Sequence, residues 1–245
     1  MVSVRPVTSS QPIPFPGRAQ VHVWVVGLDL DAPDRECVSR WLSEEERARA
    51  GRFRQARDRR RFVAARGQLR GLLGSYLEVH PPLLRLTASP WGKPALDPGS
   101  PGEGLEFSVS HADELALFAV AHDRQVGVDI ERVRGNLDIV RMARLAFSER
   151  EQERLRGLDV EARTAAFFAA WTRREASVKA RGIGLAGRRE DAFSPGWGVQ
   201  DLTPGPGYVG AVAARGHDWE ATIRGLGTLW GPRAQRVPLR HGEVI

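Results

Sequence analysis

Apolar residues fall at helical spacing in FFAAWTRREASVKARGIGL, residues 167–185. At 100° per residue, Phe167, Trp171 and Val178 share one face, with Glu175 and Lys179 one turn apart on its flank. Ala, Arg and Glu favour a helix here, and Gly182 after a basic last turn predicts its end. Residues 136–157 read as a single amphipathic helix, with Ile139, Val140, Met142, Leu145 and Phe147 as its apolar residues. Ser43-Glu44-Glu45-Glu46 opens a helix with a capping box. Two arginine-rich helical stretches follow, the second with Phe62, Leu69, Leu72 and Leu73 as core candidates.

Elsewhere the period shortens to two. Residues 22–31 predict a strand, and EFSVSH (106–111) and ELALFAVA (114–121) predict a hairpin around Ala112-Asp113. GVDIERV (127–133) predicts another strand, and 196–202, 207–214 and 219–226 predict three more. RLTASPWGKPAL (85–96) reads as a loop, punctuated by Pro90, Gly92 and Pro94. Residues 1–20 are rich in Pro and Ser without any period and read as a mobile leader or extended strap.

The halves echo each other. Val26-Gly27-Leu28-Asp29-Leu30-Asp31 resembles Val126-Gly127-Val128-Asp129-Ile130-Glu131, 100 residues later. Phe62–Ala65 resembles Phe168–Trp171, and Leu117–Ala121 resembles Val209–Ala213, in the same order and at similar offsets. The pattern predicts an α+β fold made by pseudo-two-fold duplication of two α/β halves with a cleft between them. The halves run over 21–123 and 124–230, with a leader at 1–20 and a tail at 231–245.

Composition narrows the chemistry. The content is 42% hydrophobic and 27% charged, as in soluble globular proteins. One cysteine, Cys37, excludes an internal disulfide and a cysteine-rich metal site. There is no run of about 18 apolar residues and no signal-peptide pattern, so the expectation is a cytoplasmic protein without a membrane span. A net charge of +6 favours an acidic partner: nucleic acid, anionic membrane, phosphorylated metabolite or acidic protein. Of 36 basic residues only Lys93 and Lys179 are lysine.

The alternation in GVDIE turns Val126, Val128 and Ile130 one way and Gly127, Asp129 and Glu131 the other. Two carboxylates two apart on a strand have Cα atoms roughly 6.5–7 Å apart, within reach of one hard cation. Glu175 adds a third acid, and no His/Cys cluster points to zinc. Alone, each of these pairs also reads as a solvated surface feature. Lys93, in a Gly-Lys-Pro turn, and Ser110 and His111, at a strand end, are candidate anion ligands.

The ordered set G-K-P, F-S-V-S-H, G-V-D-I-E and W-x-x-R-E-A-x-x-K-x-x-G-x-G-L, from about Trp91 to Leu185, resembles the Sfp-type 4′-phosphopantetheinyl transferases. A weaker likeness extends over roughly 22–225. The family pattern has Lys where this chain has Arg174, and Glu46 is acidic where some relatives are basic.

The resemblance implies a monomeric pseudo-dimer that moves the phosphopantetheine arm of coenzyme A to a serine of an apo acyl or peptidyl carrier protein. Adenosine 3′,5′-bisphosphate is released. It implies that Asp129, Glu131 and Glu175 hold Mg²⁺ (or Mn²⁺), that Glu175 is the base and that Lys179 neutralises or protonates the departing phosphate. Coenzyme A would also meet Lys93, Ser110 and His111, with Arg49 and Arg61 near its 3′-phosphate. The 136–157 helix would receive the acidic carrier protein. Two other classes stay open at this stage: an RNA-binding protein using the arginine-rich helices, and an Mg²⁺-dependent phosphodiesterase using the same acids.

Overall fold

The structure, a computed structural model, describes residues 13–89, 92–135, 137–183 and 195–225. The chain begins with β1 (Gln20–Gly27), then α1 (Ala32–Ser39), α2 (Glu44–Gly51) and α3 (Ala56–Leu77). Short strands β2 (Leu86–Ala88) and β3 (Pro94–Leu96) precede the hairpin β4 (Leu105–Ala112) and β5 (Leu115–His122). The second series is β6 (Val126–Arg132), α4 (Ile139–Ala146), α5 (Glu149–Arg156), α6 (Val160–Arg181), β7 (Trp197–Leu202), β8 (Tyr208–Arg215) and β9 (Glu220–Arg224). Twice, then, the order is one strand, three helices of which the last has 22 residues, and further strands.

Two sheets lie between α3 and α6. The first has the order β4-β5-β1-β9 and the second β6-β8-β7. Val23, Val25, Leu117 and Ala119 of the first sheet pack on Val126, Val128, Ile130 and Val212 of the second, forming a core between the sheets. The opposite face of the first sheet, with Trp24, Val26 and Phe118, packs on Leu69, Leu72 and Leu73 of α3. The opposite face of the second is small: Ala211 and Ala213 meet Ala176 and Ala180 of α6. Burying one apolar side chain contributes roughly 1.5–3 kcal/mol, so these three interfaces hold the layers together. β9 runs parallel to β1, so the last described strand of the second series completes the first sheet.

Several sequence expectations change in detail. The helix expected from Phe167 starts seven residues earlier, where the Asp159 side chain accepts from Ala162 N, and ends as anticipated at Gly182 with φ 64°. The single helix expected over 136–157 is two helices, because Phe147 is extended and Ser148 begins a new capping box with Glu151. The stretch read as a loop over 85–96 contains β2 and β3, paired Leu86↔Leu96 to Ala88↔Pro94. The strand expected over 22–31 spans Gln20–Gly27 instead, since Asp31 caps α1 and Pro33 sits in its first turn. Ser43 and Glu46 do form the capping box. Residues 13–19 run as a strap: Ile13 is buried and its N–H donates to Ser75 O, and the Phe15 ring lies 5.3 Å from that of His122. Expectations for residues 1–12, Pro90, Trp91 and the segment beyond 225 lie outside the described residues.

Candidate active site

A glycine sets the site's geometry. A Cβ on Gly127 would overlap the Ala176 carbonyl oxygen and the Ala180 amide nitrogen. Only glycine lets β6 lie this close to α6. That contact sets Asp129, two residues along β6, against Lys179 on α6. Lys179 Nζ donates to Asp129 Oδ1 at 2.7 Å and to Ser110 Oγ at 2.8 Å, and Ser110 Oγ donates to the same Oδ1 at 2.9 Å. Three elements, β4, β6 and α6, thus converge on one carboxylate oxygen. Asp129 is 4% exposed and the Lys179 side chain 29% exposed, so the pair is only partly screened by water.

Two hydrogen bonds hold the surroundings in register. Val128 N donates to Ser108 Oγ at 3.2 Å, tying β6 to β4 and so to the first sheet. Lys93 Nζ donates to Val126 O at 2.9 Å, at the start of β6. Burial lowers the Lys93 pKa, and Glu106 partly opposes this. Burial likewise raises the pKa of Glu106, with Lys93 opposing.

Glu131 lies further along β6 and accepts from Trp171 Nε1 at 3.2 Å. The Trp171 ring stacks on Phe167, centroids 6.0 Å apart. Burial raises the Glu131 pKa, the negative charge of Asp129 raises it further, and Glu175 adds to the same effect; Trp171 and Lys179 work against it. The three expected acids therefore sense one another. Asp129 Oδ2 is buried and meets no hydrogen-bond donor among the described residues. A buried carboxylate oxygen without a donor is costly unless a cation or donor arrives. Oxygen donors of this kind suit a hard divalent cation. Even so, among the described residues no group of three or more His, Cys, Asp or Glu side chains is drawn together as a ready-made metal cage.

His111 is exposed at its surface, yet protein crowds around its ring. That desolvation lowers its pKa, and the charges of Lys179 and Arg66 lower it further. Arg49 lies over the Phe62 ring, its guanidinium carbon 5.4 Å from the centroid, and lines an open hollow of about 470 Å³ with Glu45, Ala48, Arg52 and Phe53. Arg61 stands apart from these groups. Its Nε and Nη2 both donate to Asp29 at 2.7 Å, so the structure holds it in a two-pronged ion pair. Glu46 is structural. It accepts from Arg70 Nε at 2.6 Å, nearly out of contact with water, and closes the capping box. Arg174, the departure from the resembled motif, is 3% exposed, lies over Phe147 and reaches Glu151 at 3.5 Å. It braces α6 against the α4–α5 junction.

Sequence reasoning missed three contributors. Ser108 precedes the quoted Ser110 by two residues, but only the β4–β6 contact reveals its partner. Trp171 shows its apolar spacing in the sequence but not its hydrogen bond to Glu131. Arg66 is one arginine among many, and its position beside His111 depends on how α3 packs.

The family model of the 4′-phosphopantetheinyl transferase superfamily matches residues 125–222, and that of the 4′-phosphopantetheinyl transferase N-terminal region matches residues 32–123. The chain is 38% identical over 213 residues to the 4′-phosphopantetheinyl transferase HetI of Nostoc sp., covering 82% of this chain and 90% of that one. It is 34% identical over 155 residues to L-aminoadipate-semialdehyde dehydrogenase-phosphopantetheinyl transferase of Xenopus laevis, covering 60% of this chain and 51% of that protein. A phosphopantetheinyl transferase of Thraustochytrium sp. is 31% identical over 181 residues, covering 68% and 62%.

Proposed function

This chain belongs to the 4′-phosphopantetheinyl transferase superfamily, and from that premise we propose that the cluster around Asp129 and Lys179 is where its transfer takes place. The enzyme moves the phosphopantetheine arm of coenzyme A to a carrier protein. The acceptor is a serine of an apo acyl or peptidyl carrier protein. Its oxygen forms the new bond to the phosphorus next to pantetheine. The bond from that phosphorus to the 5′-phosphate oxygen of adenosine 3′,5′-bisphosphate breaks.

The observation that carries this reading is the Lys179–Asp129–Ser110 convergence, with its orphaned buried oxygen, at the seam of the two sheets. Glu175 takes the serine proton, directly or through a water. Lys179 neutralises or protonates the departing phosphate. Lys93, Ser110 and His111, with Arg49, orient the coenzyme. Arg61 joins them only by giving up Asp29. Asp129, Glu131 and Glu175 would hold Mg²⁺ (or Mn²⁺), which when bound offsets charge on the pyrophosphate.

The repeated order of strand, three helices and strands supports a duplication with the site between the halves, 21–123 and 124–230. Such a pseudo-dimer works as a monomer. No described helix is long and apolar enough to cross a membrane. A cytoplasmic location suits a reaction that draws on coenzyme A.

The test is a mass assay with coenzyme A, Mg²⁺ and a panel of apo carriers. One carrier gains the mass of a phosphopantetheine, and Glu175→Gln abolishes the gain. No gain with any carrier, or near-normal turnover of Glu175→Gln, contradicts this reading. Coenzyme A hydrolysis without a carrier would favour a phosphodiesterase, and a salt-sensitive shift of random RNA would favour nucleic-acid binding.

A further inference from the structure

Helix α6 buries a guanidinium beside the proposed base. Arg174 is 3% exposed, and Glu175 follows it in the chain. A buried guanidinium is costly unless it is paired or stacked. Arg174 does both on one short segment. Its guanidinium carbon lies 5.3 Å from the centroid of Phe147, and its Nη2 reaches Glu151 Oε2 at 3.5 Å. The same Oε2 accepts from Ser148 N and from Ser148 Oγ, both at 2.8 Å. Arg174 therefore grips the break between α4 and α5: the extended Phe147 on one side, the capping box that starts α5 on the other.

Apolar packing completes the hold. α4 and α5 rest on α6 through a small separate core of Ile139, Ala143, Phe147, Leu155, Phe167 and Phe168. Outward, α4 presents Val140 and Leu145, 36% and 80% exposed, beside the exposed Arg141 and Arg144. An apolar face set among arginines suits an acidic protein. Inward, Trp171, three residues before Arg174, donates to Glu131. One stretch of α6 thus ties the acids of β6 to the α4–α5 break.

We propose that Arg174 is a positioning residue for the acceptor: it fixes the α4–α5 face, and with it the serine of a carrier docked there, relative to Glu175. This rests on the carrier-protein reading given above. Arg174 acts through Phe147 and Glu151 rather than on the reacting atoms. Arginine suits the task better than the lysine of the resembled motif. A flat guanidinium stacks on a ring and reaches a carboxylate with its edge at the same time, which a compact ammonium does poorly.

The experiment varies carrier and coenzyme A in turn. Arg174→Gln lowers kcat/KM for the carrier about tenfold to a hundredfold, the cost of displacing a reacting atom by about 1 Å. Coenzyme A affinity, read by calorimetry, stays at the wild-type value. Arg174→Lys falls between. So does Glu151→Gln, which keeps a capping-box side chain and drops its charge. A matching loss of coenzyme A affinity, or no loss against the carrier, overturns the proposal.

Hydrogen exchange reads the same brace without turnover. In Arg174→Gln the amides of residues 139–158 exchange faster, and those of β1 and β5 exchange as in wild type. Unchanged exchange over 139–158 refutes the brace. Failure of the wild type to modify any carrier would refute the transferase reading and this proposal with it. A working wild type with equally active variants would refute the role of Arg174 alone. If Arg174→Gln melts early, Glu151→Gln carries the kinetic test.

Discussion

Replacing Asp129 with asparagine removes one charge and keeps the shape. In the native site Oδ1 accepts from both Lys179 and Ser110, and an amide oxygen can do the same. What is lost is charge assistance. A hydrogen bond to a charged group contributes about 1.5–3 kcal/mol and a neutral one about 0.5–1.5 kcal/mol, so the loss is about 1–2 kcal/mol. An opposing gain comes from no longer burying a carboxylate whose Oδ2 lacks a donor. The net destabilisation is about 1 kcal/mol, which lowers Tm by about 2–4 °C in a protein of this size. Transfer suffers more, because removing one preorganised electrostatic group at a reacting centre costs about 10²–10³-fold. Thermal melting and the carrier mass assay on one preparation separate the two effects. A well-folded Asp129→Asn protein retaining more than a tenth of wild-type turnover would refute the reasoning. So would a loss of several kcal/mol of stability, which would make Asp129 a strut rather than a reacting group.

Gly127→Ala drives a methyl group into the backbone of α6 at Ala176 and Ala180; it lowers stability by about 3 kcal/mol or more in urea melts and displaces Lys179 from Asp129. His22 is buried, donates to or accepts from Tyr76 Oη at 2.7 Å, and has a pKa lowered to about 3 by burial and then by Arg224. An unfolded histidine titrates near 6.5, so the native state resists the proton. Its contribution is fully present above about pH 6.5 and is lost as pH falls toward 3, by up to about 1.4 kcal/mol per unit. Urea midpoints at pH 7.5, 5.5 and 4.5 should fall less steeply for His22→Asn than for wild type; equal slopes would exclude His22 as the source. Glu175→Gln should abolish carrier modification while its melting curve stays near wild type, and separate loss of both would point to misfolding instead.

Legibility of the fold varied with the range of the interactions. Helix α6 was readable because its apolar period, its basic last turn and Gly182 are local signals. The hairpin β4–β5 was readable by alternation, although its turn centres one residue later than expected, at Asp113 with φ 47°. The break between α4 and α5 carried a local signal too, Ser148 with Glu151, which the continuing apolar period obscured. β2 and β3 were unreadable: each is three residues long, turn formers lie between them, and they persist only because each has the other to pair with.

For the site, the sequence by itself determined the chemical inventory. It put Asp129 and Glu131 on one strand face, Glu175 and Lys179 one turn apart, and Ser110 and His111 together at a strand end, because those relations follow from repeat geometry. Tertiary structure decided which of these groups meet. A glycine without a Cβ brought β6 against α6, and Lys179, 50 residues beyond Asp129, closed on it and on Ser110. Tertiary structure also decided which arginines are spent. Arg61, Arg66 and Arg70 are indistinguishable as letters, yet Asp29 takes the first, Glu46 takes the last, and Arg66 keeps its charge beside His111. Pairing of charges depends on distances across the fold, which no local period records.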